Sequence, residues 1–282
     1  MRVNDLCASC LLRGQRKKTD NAEYLARVEE MIANRTDDDS SPVLGYRFHE
    51  LFKEYGGTLK SFAKEKKQYN DLALSIEGKI SERISKADYP LAKALMYSRV
   101  GNYIDFGAMV NVNEEEFLSL LEKAEIKEEE LSVLSSMEEQ LNKAKSFLLI
   151  ADNAGEIVFD KLLLIELQKL FPHLKITVMV RGGEVSNDAT MEDAKYVGLD
   201  KAANVISNGM PIAGTVYQML SAEARQAIDS ADVILSKGQG NYESLSGYGR
   251  HIFYSFLCKC DLFTSRFNVP NFTGMFIEDN KQ

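Results

Sequence analysis

The spacing of apolar residues divides the chain near position 145. Before it, apolar positions recur at helical intervals. Tyr24, Leu25, Val28, Met31 and Ile32 mark one face of a predicted helix over 21–34. Phe62, Tyr69, Leu72, Leu74 and Ile76 mark another within 59–83. Pro90 suits a helix start and leads into 91–100. Asn113, followed by Glu114, Glu115 and Glu116, has the cap and first-turn acids of a further helix, and 127–145 reads as one more. No alternating apolar–polar strand interrupts this half.

After Lys145 the pattern changes. Short apolar runs at 146–151, 175–180, 204–207, 232–236 and 252–258 read as strands. Amphipathic segments at 155–170, 188–197, 215–229 and 241–245 lie between them, with a last helix or turn at 261–267. Strand–helix alternation implies a parallel sheet covered on both faces. The expected fold is therefore α/β, a helical N-terminal subdomain (1–145) packed on a doubly wound, mainly parallel sheet (146–282). No Gly/Ser-rich linker separates the two, so they are expected to pack as one body.

Composition narrows the function classes. The 282 residues are 45% hydrophobic, enough for a substantial core, and carry a net charge of −8 with a pI near 5.2. That balance disfavours bulk binding to nucleic acid or to an anionic membrane. No apolar run approaches the roughly 20 residues of a membrane span. The first residues lack the apolar core of a secretory signal, so a cytoplasmic enzyme is the expectation. An acidic surface carries no information on oligomeric state.

Four cysteines form two tight pairs, Cys7 with Cys10 and Cys258 with Cys260. Folded ends that met would give a four-thiolate site for a second metal; the plainer reading is ordinary thiols at each end.

Ligands of open parallel sheets bind beyond the carboxyl ends of the strands. Four successive strand ends here run into polar residues and glycines: Asp152-Asn153-Ala154-Gly155-Glu156, Arg181-Gly182-Gly183-Glu184, Asn208-Gly209, and Lys237-Gly238-Gln239-Gly240-Asn241. Asp152, Asn153 and Asp188 offer hard oxygen ligands suited to Mg²⁺ or Mn²⁺. Helix capping is the competing reading of all three. His49, His173 and His251 lie outside these loops, which argues against a histidine zinc site. Gly155 at a helix start, and Asn208 with Gly209, offer backbone N–H groups to an anion. Lys237 is the candidate point charge for a phosphoryl oxygen. Asn102 and Asp105 follow a helix end at Gly101 and offer substrate contacts across a cleft, or simply a local turn. Arg47 and Lys67 are weaker candidates on the helical side. Phosphate-loop, dinucleotide and nucleophile-elbow motifs are absent from the sequence.

The segments "DNAGE", "RGGEVSNDAT", "ISNG", "SKGQGNYESL" and "CKC", with "CASC" and "RVGNYIDFG", resemble the DUF89 family of metal-dependent damage-control phosphatases, prokaryotic branch. The resemblance covers nearly the whole chain. It implies a Rossmann-like core with a divalent metal (Mn, Mg, Co or Ni) at the strand ends. It places metal ligation on Asp152, Asn153 and Asp188, a catalytic lysine on Lys237 with Asn241 following, and the helical-side motif on Gly101, Asn102 and Asp105. Gln239 stands where other branches carry an acid. The implied activity is hydrolysis of small phosphorylated metabolites, such as sugar phosphates. The attacking group is a metal-activated water or an aspartate, with Asp152 the leading carboxylate. A carboxyl methyltransferase using S-adenosylmethionine and a non-catalytic metabolite-binding protein are the alternatives.

Overall fold

The computed structural model describes residues 1, 3–105, 118–119, 121–122 and 124–279, Ile104 and Asp105 by backbone alone. The expected helix at Asn113 lies outside the described residues. The helical half comprises α1 (Asp5–Arg16), α2 (Ala22–Ala33), α3 (Ser41–Glu54), α4 (Ala63–Ser85), α5 (Pro90–Gly101) and α6 (Glu128–Leu141). The second half runs β1 (Ser146–Ile150), α7 (Glu156–Leu170), β2 (Lys175–Val180), α8 (Met191–Tyr196), β3 (Asn204–Ser207), α9 (Ala222–Ser230), β4 (Val233–Lys237), α10 (Gln239–Leu245), β5 (Ile252–Leu257), α11 (Asp261–Phe267) and β6 (Gly274–Asp279).

The strands form one sheet in the order β3-β2-β1-β4-β5-β6. All neighbours are parallel except β6, which pairs antiparallel with β5. Strand order reverses between β1 and β4, so the topological switch point lies at their carboxyl ends. Register fixes what gathers there. Ile150 pairs with Met179 on one side and Ser236 on the other. Two residues further on, Asp152, Arg181 and Gly238 come into one row.

Both sheet faces are covered, as the continuous apolar strands require. One core joins Ile76 and Ile80 of α4, Leu95 and Val100 of α5 and Leu134 of α6 to Phe159 and Leu163 of α7 and to Phe147 and Leu149 of β1. This core crosses residue 145 without a break. The other face packs Leu148, Ile150 and Ile234 against Ile228 of α9, Leu245 of α10 and Phe263 of α11. A third cluster, including Tyr24, Val28, Leu44 and Phe48, ties α1, α2 and α3 together. Among the described residues no helix is long and apolar enough to cross a membrane.

The segment 215–229, expected as one helix, is a 3-10 turn at Tyr217–Met219 followed by α9, whose N-cap Ser221 accepts from the Ala224 amide. Strand β6 was not expected; α1 and α3 fall in the half read as helical.

Candidate active site at the sheet switch point

The loops after β1 and β2 are stitched together. Asn153 and Asp188 form an isolated antiparallel bridge. The Ala154 amide donates to Asn187 O (2.9 Å) and the Ala189 amide to Asp152 O (2.8 Å). This brings Asp152 and Asp188, distant in sequence, to one place. Neither acts as a helix cap. Helix α7 has Gly155 at its N-cap position, with no side-chain cap bond. Helix α8 starts late, capped by Thr190 in a box with Asp193.

Both aspartates meet the same cation. Arg181 Nε donates to Asp188 Oδ2 (2.6 Å) and Nη2 to Asp152 Oδ1 (3.3 Å). Its Nη1 donates to Asn241 Oδ1 (2.9 Å) and Gly214 O (3.1 Å). Asn241 also donates to Lys237 O and Ala151 O, so its amide is fully used in holding Arg181 and the strand ends. Asp152 is the most open of these carboxylates, its side chain 13% exposed against 6% for Asp188. Its carboxylate rests on the backbone of Gly238 (φ +82°), where an added Cβ would lie 2.1 Å from Asp152 Oδ2.

Lys237 points elsewhere than expected. Its ammonium is fully enclosed and donates to Glu156 Oε1 (2.7 Å), Asp160 Oδ1 (2.7 Å), and Ser98 Oγ (2.7 Å) and O (3.1 Å). Those partners take up its three protons, so the structure corrects the placement of Lys237 on a phosphoryl oxygen. Burial opposes the charge on Lys237, but the two carboxylates outweigh it and its pKa is raised. Burial likewise raises the Asp160 carboxyl against the pull of Lys237, and pushes Glu156 up to about 7.

The two expected anion cradles are occupied by the protein itself. The Gly155 amide donates to Asn70 Oδ1 of α4 (2.7 Å). Asn208 Oδ1 accepts from the Gly182 (2.7 Å) and Met210 (2.9 Å) amides, and the Gly209 amide donates to Ser207 Oγ. Asn208 is thus a buried clamp on the loop after β2. Asn102 does reach the site, donating to Asp152 Oδ2 (3.0 Å) and Glu156 Oε2 (2.7 Å). The side chain of Asp105 lies outside the described residues. Arg47 is paired with Asp39, and Lys67 with Asp71 and Tyr196.

The chain ends do approach each other. Arg266 Nη1 of α11 reaches the Met1 sulfur (2.9 Å), and Gln239 Nε2 donates to Cys260 Sγ (3.4 Å). All four cysteines are free, with Cys258 buried in the core beyond β5 and Cys10 exposed. Burial pushes the Cys7 and Cys258 thiols up to about 11. Among the described residues no three His, Cys, Asp or Glu side chains gather as a metal site. The CKC segment has another contact: Lys259 Nζ donates to Asn102 O (3.0 Å), while Gln239 Oε1 accepts from the Lys259 amide (3.1 Å).

The Asp152–Asn153–Asp188 set is two carboxylates and a carboxamide. Its chemistry fits a hard divalent ion, since the donors are all oxygen and both carboxylates already converge on one positive group. In the sequence Arg181 reads only as a loop residue. Its signal is position: a cationic residue directly after a buried strand, followed by two glycines. A Cβ on Gly182 would lie 2.2 Å from Met210 N.

A cavity of about 620 Å³ opens between α4 and the loop after β2, with Arg181 and Asn70 in its wall and Lys66, Lys67, Glu184 and Tyr196 around it. The model of the damage-control phosphatase ARMT1-like domain matches residues 4–273. The chain belongs to this family. A damage-control phosphatase of Archaeoglobus fulgidus is 33% identical over 275 residues, covering 93% of each chain. Another of Pyrococcus horikoshii is 31% identical over 246 residues, covering 86% of this chain and 83% of that one. A crystal structure of a DUF89 family protein from Pyrococcus horikoshii superposes with a TM-score of 0.77 at 26% identity, covering 99% of this chain and all of that one. Both phosphatase relatives are archaeal. Membership in the damage-control phosphatase ARMT1-like family extends to both halves of the fold, because the matched span includes α1 and β5 alike.

Proposed function

We propose that this chain is a divalent-metal-dependent phosphomonoesterase acting on small phosphorylated metabolites such as sugar phosphates. The observation that carries the reading is the convergence of Asp152 and Asp188, from two crossover loops, on one cationic position at the switch point. The names of the archaeal relatives support the same class of reaction.

Asp152, Asn153 and Asp188 would hold the ion, which when bound neutralises phosphoryl charge and lowers the pKa of a water. Arg181 supplies a fixed guanidinium beside it, its fork held by Asp188, Asn241 and Gly214 O, so that it meets phosphoryl oxygens without reorganising. Asp152 is the carboxylate that meets the substrate, either to attack phosphorus or to orient the attacking water. The cavity of about 620 Å³ falls within the roughly 300–1,000 Å³ of small-molecule sites. Lys66, Glu184 and Tyr196 give it donors and acceptors suited to hydroxyl groups.

A phosphate-release screen over sugar phosphates with Mn²⁺, Mg²⁺, Co²⁺ and Ni²⁺ tests the proposal. Turnover should need the ion and be lost in Asp152→Ala. Undiminished turnover in that variant or with chelator refutes it, as does methyl transfer from S-adenosylmethionine without phosphate release. Borohydride trapping of a phosphoaspartate separates the two roles of Asp152.

A further inference from the structure

Glu156 is buried in the first turn of α7, yet no part of the reaction above uses it. One oxygen, Oε1, faces Lys237 (2.7 Å). The other, Oε2, accepts from Asn102 Nδ2 (2.7 Å), Asn153 Nδ2 (3.1 Å) and the Asn153 amide (3.3 Å). Asp152 Oδ2 accepts from the same two side-chain amides, at 3.0 Å and 2.9 Å. The amino groups of Asn102 and Asn153 therefore straddle one pair of carboxylate oxygens.

That arrangement decides which way each amide lies. A flipped amide would set its oxygen against two carboxylates, acceptor against acceptor. The amino groups are held inward, and the oxygens must look away. Asn153 Oδ1 accepts from Asn187 Nδ2 (3.2 Å). Asn102 Oδ1 is buried and accepts from no partner among the described residues. A buried acceptor with no protein donor calls for a partner from outside the chain, an ion or an ordered water. It has only lone pairs to offer, so it suits a cation and repels a phosphoryl oxygen. Asn102 is braced from behind: Gly101 lets the end of α5 press on Glu156, where a Cβ would lie 3.2 Å from Glu156 Cα, and Lys259 holds the Asn102 carbonyl.

We propose that Glu156 is the positioning residue of the site, turning both carboxamide oxygens toward the divalent ion, and that Asn102 Oδ1 joins Asp152, Asn153 and Asp188 as a further oxygen donor to it. This rests on the metal-dependent reading above. Lys237 takes part indirectly, by occupying Oε1 and leaving Oε2 to the amides.

Manganese titration of the full chain, followed by the electron paramagnetic resonance of free Mn²⁺, tests this apart from turnover. In Glu156→Gln the new amide oxygen turns to the Lys237 ammonium and its amino group meets the two asparagines, so they flip. Manganese binding should weaken by about 10- to 100-fold, as for other residues that orient metal ligands. Glu156→Asp, which keeps the charge but withdraws the acceptor, should weaken it in the same direction. Asn102→Ala should do likewise. Asp160→Asn touches Lys237 and Ser98 but neither amide, and should keep the wild-type affinity while lowering Tm. Wild-type manganese affinity in folded Glu156→Gln or Glu156→Asp overturns the positioning role. Wild-type affinity in Asn102→Ala, with KM alone raised, overturns the assignment of Asn102 to the ion. A wild-type chain that binds no manganese removes the metal-dependent reading and this inference together.

Discussion

Replacing Lys237 by methionine removes an ammonium lodged between two fully buried carboxylates. Each N···O separation is 2.7 Å. At an effective dielectric constant of about 20, each pair carries roughly 6 kcal/mol of gross attraction, most of it offset by the cost of burying the charges. Methionine fits the volume but leaves Glu156 and Asp160 facing each other without a cation. Breaking a buried pair in this way costs about 3–5 kcal/mol, a large part of the roughly 5–15 kcal/mol that holds a typical domain together. The loss should depend on pH. Both carboxyls are already raised by burial, and without the lysine they rise further. A carboxyl raised in the folded state contributes its stability in full below the unfolded pKa and loses it as pH rises through the folded one. The deficit of Lys237→Met should therefore be full at pH 8 and much smaller at pH 5. Urea unfolding followed by far-UV circular dichroism at both values measures it. Adding Asp160→Asn should restore part of the loss at pH 8. A variant as stable as wild type at pH 8, but with kcat collapsed at every pH, would show that the ammonium meets substrate and that this account of the knot is wrong.

Arg181→Lys should lower kcat by about 10²-fold with a smaller change in KM, because one ammonium cannot span Asp152 and Asp188 while offering donors to a phosphoryl group. Gly238→Ala should abolish phosphate release and weaken manganese binding, since its Cβ would displace the Asp152 carboxylate from 2.1 Å; a crystal structure with Asp152 unmoved contradicts this. His49 is held neutral by burial, with Lys18 and Lys53 adding to the effect, so its pKa falls to about 4. Its contribution is present above the unfolded value near 6.5 and lost as pH falls through 4, roughly 1–2 kcal/mol after solvent screening. His49→Gln should flatten the acid side of the stability profile, measured by urea unfolding from pH 7 to 4. Lys259→Met should free the Asn102 carbonyl and weaken manganese binding in the same titration, while leaving Tm close to wild type.

The five parallel strands were legible because each is a short apolar run bounded by polar residues, and their ends fell within a residue of expectation. Strand β6 was not, since an antiparallel edge strand in which Phe276 alone is buried carries little alternation. Asp152, Asn153 and Asp188 could be picked out because carboxylates and amides after buried strands are conspicuous. The direction of Lys237 could not, because Ser98, which helps enclose it, is remote in sequence. One clue was available: Glu156 and Asp160 stand four apart with only Ile157, Val158 and Phe159 between them, a buried acidic pair that requires a cation. The clamp formed by Asn208 was hidden for a similar reason, since one of its partners, the Gly182 amide, comes from the loop after another strand.

Main-chain hydrogen bonds join the crossover turns that bear Asp152 and Asp188, and such a seam does not part to admit a reactant. In the reaction proposed above the two aspartates would keep one separation, and access would be decided at the opposite wall of the cavity. That wall is α4 and the turn before it, attached here by polar side chains: Asn70 to Gly155 and Asp193, Lys66 to Asp193, and Ser61, just ahead of the helix, to Glu184. On that proposal, entry and exit would turn on exchanging side-chain bonds at the N-terminal end of this helix, while Ile76 and Ile80 keep its remainder anchored in the core.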